Sequence, residues 1–271
     1  MRGMFTCGVT DVMMEHGIAF DGAVGVSAGA AFGCNYKSGQ IGRAVRYNKQ
    51  FCADSRYGGM KSLLKTGDYY NRDFCYREVP LNQDPFDFKA YLANPMDFYV
   101  VCTDVETGKP VYHKYEGYED HEFEWIRASA SMPLVSNIVE IDGLKLLDGG
   151  ISDSIPVQFM MDLGYDRNVA ILTQPASYTK KKNEMMPLIK AIYRKYPNLI
   201  RVMENRHRAY NETLALVTRL ERQGKLFVIR PDRPLPVGRT EKDPDRLQEA
   251  YDIGRTLMER KMESLKAYLD K

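Results

Sequence analysis

"DGAVGVSAGAAFG", residues 21–33, sets one serine, Ser27, among residues with almost no side chain. Two readings compete: a nucleophile on a sharp turn, or a plain tight turn between a strand and a helix. "AVGV" (23–26) is a short buried strand, and "AGAAFGCNYKSG" after the serine has the small-residue content of a helix packed closely on a sheet. Gly25-Val26-Ser27-Ala28-Gly29 therefore matches G-x-S-x-G in its strand–turn–helix setting, which lifts a serine hydroxyl above the sheet edge. Gly25 and Gly29 relieve crowding at such a turn, while Ala28, Ala30 and Ala31 let the next helix approach. The helix start offers backbone N–H groups and a positive dipole end to a developing oxyanion.

Working outward, "MFTCGVTDVMMEHG" reads as an amphipathic helix, with Met4, Val9, Val12 and Met13 at helical spacing and Gly17 as its stop. Residues 40–97 are rich in Tyr, Asn, Asp and Gly and show no long period. They are assigned short helices and loops, "FKAYLAN" among them, that cover the site. "DFYVVCTDV" (97–105) is a second buried strand, and "EFEWIRASASMP" a helix stopped before Pro133. "NIVEIDGLKLLDGG" (137–150) is two apolar runs joined by Asp142-Gly143, the pair best suited to a two-residue hairpin turn. Asp148 ends the second arm, where Gly149-Gly150 lets the backbone turn sharply. "IPVQFMMDLGYD" is a helix with Pro156 near its first turn, and "NVAILTQP" a third sheet strand. Beyond residue 176 come a charged helical region (185–224), the strand "KLFVIRP", a Pro-rich turn and a final helix at about 243–269. The expected organisation is an α/β core over 1–175 and a mostly helical C-terminal region over 176–271.

A chain of 271 residues with 44% hydrophobic content can bury a substantial core as one α/β domain, or as one domain with an appendage. No apolar run approaches the roughly 20 residues of a membrane-spanning helix, and no signal segment opens the sequence, so a cytoplasmic protein is expected. Cys7, Cys34, Cys52, Cys75 and Cys102 are widely spaced, with no C-x-x-C pair and no histidine at ligand spacing. They read as reduced packing residues, with no metal site. A net charge of +2 carries no nucleic-acid signature. Locally, Lys180, Lys181, Lys182, Lys190, Arg194, Lys195, Arg201, Arg206 and Arg208 face only Glu184 and Glu204. That patch suits anionic lipid headgroups or phosphate, or is a solvated helix face.

A serine hydroxyl needs a base within hydrogen-bond reach. An ordinary α/β hydrolase supplies acid and histidine after the serine, with several strands before it, yet only 26 residues precede Ser27. The sole histidine after Asp148 is His207, among arginines on a helix of the C-terminal region and read as structural. His16 closes the first helix, and His113 and His121 lie in polar loop. A carboxylate is left. Asp148, at a strand end before two glycines, is the best candidate; its plain alternative is a turn carboxylate capping backbone N–H groups.

These residues resemble the patatin-like phospholipases, lipid acyl hydrolases that use a Ser-Asp dyad. The resemblance covers roughly residues 1–160 through four blocks: "MRGMFTCGVTDVMMEHGI", "GVSAGA", "ASASMP" and "DGGISDSIPV". It implies a three-layer α/β/α sandwich with a mainly parallel sheet, Ser27 as nucleophile, Asp148 as its base, and Gly149 and Gly150 shaping the loop. It implies no cofactor. The region after 176 is similar to the helical extension of some bacterial members. The family's oxyanion hole is a glycine-rich loop after a first strand; Arg2 and Gly3 match its last two positions, and the preceding glycines are absent from this sequence. Either the sequence is a truncated version of a longer protein, or the oxyanion is held mainly by Gly3 and the helix end at Ala28.

The expected function is hydrolysis of fatty-acyl esters of lipids through an acyl-enzyme, with peripheral contact at an anionic membrane surface and the oligomeric state open. Met60, Leu63, Leu64, Phe74, Phe86, Phe88 and Tyr91 are the candidates for an acyl groove. The alternative is a catalytically impaired lipid-binding or scaffolding protein of the same fold. A phosphate or nucleotide binder is weaker, because neither G-x-x-x-x-G-K-[ST] nor G-x-G-x-x-G is present.

Overall fold

The strand before Ser27, β1 (Gly22–Val26), lies parallel to β2 (Asp97–Asp104), with Val26 opposite Val101. The computed structural model describes residues 1–117 and 120–270. β3 (Pro110–Lys114) runs antiparallel along one edge of β2, so β1 must occupy the other. Where β1 ends, β5 (Leu144–Asp148) takes over that same edge from the opposite direction, pairing Asp148 with Cys102. Val26 and Asp148 thus sit opposite consecutive residues of β2. The C-terminal ends of two strands meet end to end.

β5 is the second arm of the expected hairpin. β4 (Val139–Ile141) is the first, and Asp142 and Gly143 between them both have positive φ, 52° and 76°. The sheet is mixed with most of its strands in one direction, as expected: β1, β2 and β4 run one way, while β3 and β5 oppose them. The short β2–β3 and β4–β5 links permit only antiparallel pairing. "NVAILTQP" does form a strand, β6 (Asn168–Ile171), but it pairs in parallel with β7 (Leu226–Ile229) in a separate two-stranded sheet. β3 was not anticipated, since Pro110 and Lys114 at its ends blur the strand pattern.

Helices cover both faces. α1 (Gly3–Glu15), α2 (Ala28–Lys37), α3 (Arg43–Phe51), α4 (Met60–Thr66) and α5 (Phe88–Ala93) precede β2. α6 (Asp120–Ser129) follows β3, and α7 (Val157–Asp162) follows the hairpin. α8 (Met186–Ile192), α9 (Pro197–Arg222) and α10 (Pro244–Leu269) complete the chain. Phe98, Val100 and Cys102 pack against Ala30 and Cys34 of α2 and Trp125 and Ile126 of α6. On the opposite face Leu147 and Val105 meet Met186, Ile189, Leu199 and Met203 of α8 and α9, and Tyr99 meets Phe159 of α7 edge-on. These are the three layers of an α/β/α sandwich. The five cysteines are free thiols, four of them buried.

The expected helical region over 185–224 consists of two helices, α8 and α9, and Pro197, which lacks the N–H that a continuous helix would need, stands in the first turn of α9. The C-terminal segment is tightly joined to the rest. α10 lies along α1 with backbones touching: a Cβ on Gly8 would fall 2.0 Å from the Tyr251 carbonyl oxygen, and one on Gly254 2.1 Å from that of Phe5. Phe5, Val9, Val12 and Met13 are buried there with Leu257, Met258, Met262 and Leu265. Burial of each such side chain is worth about 1.5–3 kcal/mol. Asp11, also buried, accepts hydrogen bonds from the Tyr251 hydroxyl (2.7 Å) and the Gly42 N–H (2.9 Å). α1 is therefore buried on more faces than its amphipathic pattern foretells.

Candidate active site

Ser27 occupies the link between β1 and α2 with φ 56° and ψ −118°, a conformation strained for any residue with a Cβ. The strain arises because α2 folds straight back over β1: a Cβ on Gly25 would lie 2.5 Å from the Gly29 oxygen and 2.6 Å from Ala30. Gly29 itself is not crowded, since a Cβ there would meet nothing within 4 Å. The expectation that both glycines relieve crowding holds for Gly25 alone; Gly29 faces open space. Ser129, at the end of α6, secures the turn. Its hydroxyl accepts from the Ser27 N–H (2.9 Å) and donates to the Val101 carbonyl (2.6 Å). The Ser27 side chain makes no capping bond to α2, whose Ala30 and Ala31 N–H groups return to the Ser27 carbonyl instead. Its hydroxyl faces Asp148 instead.

Asp148 is 6% exposed. Its N–H donates to the Ser131 carbonyl, its own carbonyl accepts from the Thr103 hydroxyl, and its Oδ1 accepts from the Gly150 N–H at 2.8 Å. Burial pushes the carboxyl above the usual carboxylate range, opposed by the Ser27 hydroxyl beside it, the Arg206 charge and the Gly150 N–H. Asp148 therefore caps a turn and also faces the serine. Gly149 has no alternative, because a Cβ would fall 2.1 Å from the Val101 oxygen. The Gly150 carbonyl accepts from Arg206 Nε and Ser154 Oγ, so α9 holds the loop after Asp148 through one guanidinium.

Arg2, Gly3 and Ala28 line the same cavity as Ser27 and Asp148, a space of about 1510 Å³. Gly3 opens α1, where a Cβ would meet the Phe32 ring at 2.7 Å and the Ala28 Cβ at 3.0 Å. The starts of α1 and α2 are thereby packed together beside the serine. None of the four histidines lines the cavity: His16 pairs with Glu259, His113 stacks on Trp125 and bonds Glu122, and His121 pairs with Asp142. His207 has a buried Nδ1 with no partner. Among the described residues no group of His, Cys, Asp and Glu could hold a metal ion.

A family profile described as patatin-like phospholipase matches residues 1–161, the segment that carries both Ser27 and Asp148. The chain belongs to the patatin-like phospholipase family. A second profile, a domain of unknown function designated DUF6363, matches residues 196–270. The protein YjjU of Escherichia coli is 27% identical over 265 residues, 94% of this chain and 72% of that protein. An NTE family protein of Mycobacterium tuberculosis is 26% identical over 63% of this chain and 45% of its own length. Lysophospholipase nte1 of Aspergillus fumigatus is 27% identical over 61% of this chain, and the match spans 11% of that protein.

In this patatin-like protein the expected acyl groove is only partly assembled. Met60, Leu63 and Phe86 line the cavity. Phe74 and Tyr91 are core residues, the latter held by its hydroxyl on the Tyr115 carbonyl, while Phe88 packs against Phe123. Leu64 is 84% exposed. A helical period tells which residues are apolar but not which of two apolar neighbours faces a void. Instead Phe32, Met132, Leu134 and Leu188 contribute to the lining. The basic patch is also divided. Lys181, Lys182, Lys190, Arg194, Lys195, Arg201 and Arg208 are exposed, with Lys190 paired to Glu204, whereas Lys180 and Arg206 turn into the cavity. Ser129 and Arg206 are the site residues that sequence reasoning missed; a small polar residue at a helix end and one arginine among many carry no signal of their own.

Proposed function

We propose that this family member is a serine acyl hydrolase that cleaves fatty-acyl esters of lipids. Ser27 Oγ attacks the ester carbonyl carbon as its proton passes to Asp148, which then gives that proton to the departing alcohol oxygen. Water, deprotonated by the same carboxylate, releases the fatty acid from the acyl-enzyme and restores Ser27. The first N–H groups of α2, at Ala28 and Gly29, have no intrahelical acceptor and suit the oxyanion, with Gly3 packed beside them. The observation that carries this reading is the shared edge of β2, where Val26 and Asp148 take consecutive positions and leave an uncapped serine hydroxyl beside a buried carboxylate. The family and the lysophospholipase among the relatives support a lipid ester as substrate.

Peripheral contact with an anionic membrane from the cytoplasmic side belongs to the same reading. Met60 and Leu64 on α4, and Met185, Leu188 and Ile192 on and before α8, are exposed apolar residues interleaved with exposed Lys61, Lys65 and Lys190. No described helix is long and apolar enough to cross a membrane. The test is reaction with a fluorophosphonate probe. A single adduct on the native chain, absent from Ser27→Ala, is the expected result. Labelling that survives this substitution removes Ser27 as the nucleophile.

A further inference from the structure

Among the described residues three that are not glycine have positive φ: Ser27 at the elbow, Asp142 in the hairpin turn, and Leu134 at 72°. Leu134 is the third residue of the turn Met132-Pro133-Leu134-Val135, which the Val135 N–H closes on the Met132 carbonyl at 3.4 Å. Proline suits the second place of such a turn, and positive φ at the third gives it type II character, for which glycine or asparagine is the ordinary residue. A leucine Cβ is crowded by its own backbone there, and the conformation is disfavoured by roughly tenfold against glycine. A bulky side chain kept in so unfavourable a place points to a role that glycine does not fill.

The surroundings hold the turn from several directions. The Leu134 N–H donates to the Tyr193 hydroxyl just past α8 (3.1 Å), and the Val135 carbonyl accepts from the Tyr69 N–H beyond α4 (2.8 Å). One residue before the turn, the Ser131 carbonyl accepts from the Asp148 N–H at 2.8 Å. Leu134 follows Ser131 by three residues, so their Cα atoms lie within about 11 Å of each other. Leu134 lines the cavity of Ser27 and Asp148, and it also packs against the apolar cluster of Met186, Ile189 and Tyr193 at α8 and Leu199 and Met203 of α9. It stands where the cavity meets that cluster.

We propose that Leu134 sets the acyl length this site accepts. Its isobutyl group closes the acyl end of the cavity against the α8 and α9 cluster, and the strained leucine is kept because glycine, though easier for the backbone, would leave that end open. This deepens the hydrolase reading and rests on it. The Tyr193 hydroxyl is the positioning group that holds the Leu134 backbone in place. Cutting the side chain back to a methyl group makes room for about two further methylenes of substrate, each worth about fourfold in binding.

The test measures kcat/KM on p-nitrophenyl esters of straight-chain acids from butyrate to palmitate. In Leu134→Ala and Leu134→Gly the best length moves about two carbons or more beyond that of the native protein, and the rate ratio between the two lengths changes about tenfold or more. Leu134→Met, of nearly equal volume, keeps the native length preference, which separates the wall from folding. Tyr193→Phe leaves the ring in its cluster but frees the Leu134 N–H, and the length profile broadens. A rate that falls equally at every length in Leu134→Ala makes Leu134 a packing residue alone and overturns the proposal. The glycine variant has a higher urea midpoint than the alanine variant, because both lose the isobutyl contacts and only glycine relaxes φ. The reverse order shows an unstrained turn and overturns the reason given for the leucine. Calorimetry of the free fatty acids on Ser27→Ala protein reads the wall without turnover. A length preference there that Leu134→Ala shifts, with no fluorophosphonate adduct on the native chain, removes the hydrolase reading and keeps the acyl wall. An adduct on Ser27 with no shift in either assay removes the wall alone.

Discussion

On one side of the cavity, Ser27 and Asp148 are placed by the main chain. Two strand ends meet on one edge of β2, and the absent side chains of Gly25 and Gly149 are what let backbone approach backbone there. On the other side, Lys180, Arg206 and Arg239 reach in on long side chains from segments far apart in the sequence, and their place depends on how α9 and α10 pack. Backbone placement at the dyad leaves no room for an added Cβ at Gly25 or Gly149. Side-chain charge is adjustable. Fixed backbone geometry of that kind is what a chemical step between a serine and a carboxylate requires.

The sharpest way to break the contrast is at Asp148. Asp148→Asn keeps the Gly150 N–H acceptor but cannot take a proton, so hydrolysis of a p-nitrophenyl ester falls about 10⁴-fold. Undiminished turnover would exclude Asp148 from the mechanism. The sign on stability is opposite. A carboxyl whose pKa is raised by folding favours the folded state most below its unfolded pKa, and this contribution is lost as pH rises through the folded pKa. At neutral pH the Asn variant is therefore more resistant to urea than the native chain, a difference that shrinks on acidification. For the same reason the acid limb of kcat/KM in the native protein lies above the ordinary aspartate range, because the base works only when ionised.

The next test concerns the glycines. Gly149→Ala and Gly25→Ala force a Cβ into backbone and lower the unfolding free energy by more than about 3 kcal/mol, whereas Gly29→Ala changes it by less than about 1 kcal/mol. Urea denaturation reads all three, and equal losses would show that the elbow is not set by close approach at Gly25 and Gly149. A smaller loss than at Gly25 and Gly149 belongs to Ser129→Ala, which leaves the Ser27 N–H and the Val101 carbonyl without their partner and costs about 1–3 kcal/mol. If Ser129 holds the elbow, kcat for the p-nitrophenyl ester falls while KM hardly moves, and Ser129→Thr restores part of the loss.

Much of the core was legible because it is local. The strand–turn–helix around Ser27, the Asp142-Gly143 turn and Pro156 at the head of α7 each draw their meaning from immediate neighbours, and each stands where the residues put it. Less local features were misread or unseen. β3 lacked a pattern of its own, β6 chose β7 as partner, and Phe74, Phe88 and Tyr91 turned to the core although their spacing suited a groove equally well. By its sequence neighbours Arg206 is one member of a basic patch, and nothing among them distinguishes it from Arg208.

The family, the strained serine and the carboxylate at a strand end are all readable from the residues at 25–29 and 148–150, because steric demands on a turn are written into the small residues that meet them. That β1 and β5 share one edge of β2, that Ser129 and Arg206 brace the two loops, and that Lys180 and Arg206 turn into the cavity follow only from how the chain packs. Those outcomes depend on contacts between residues distant along the chain, where each side chain's role is assigned by what packs against it.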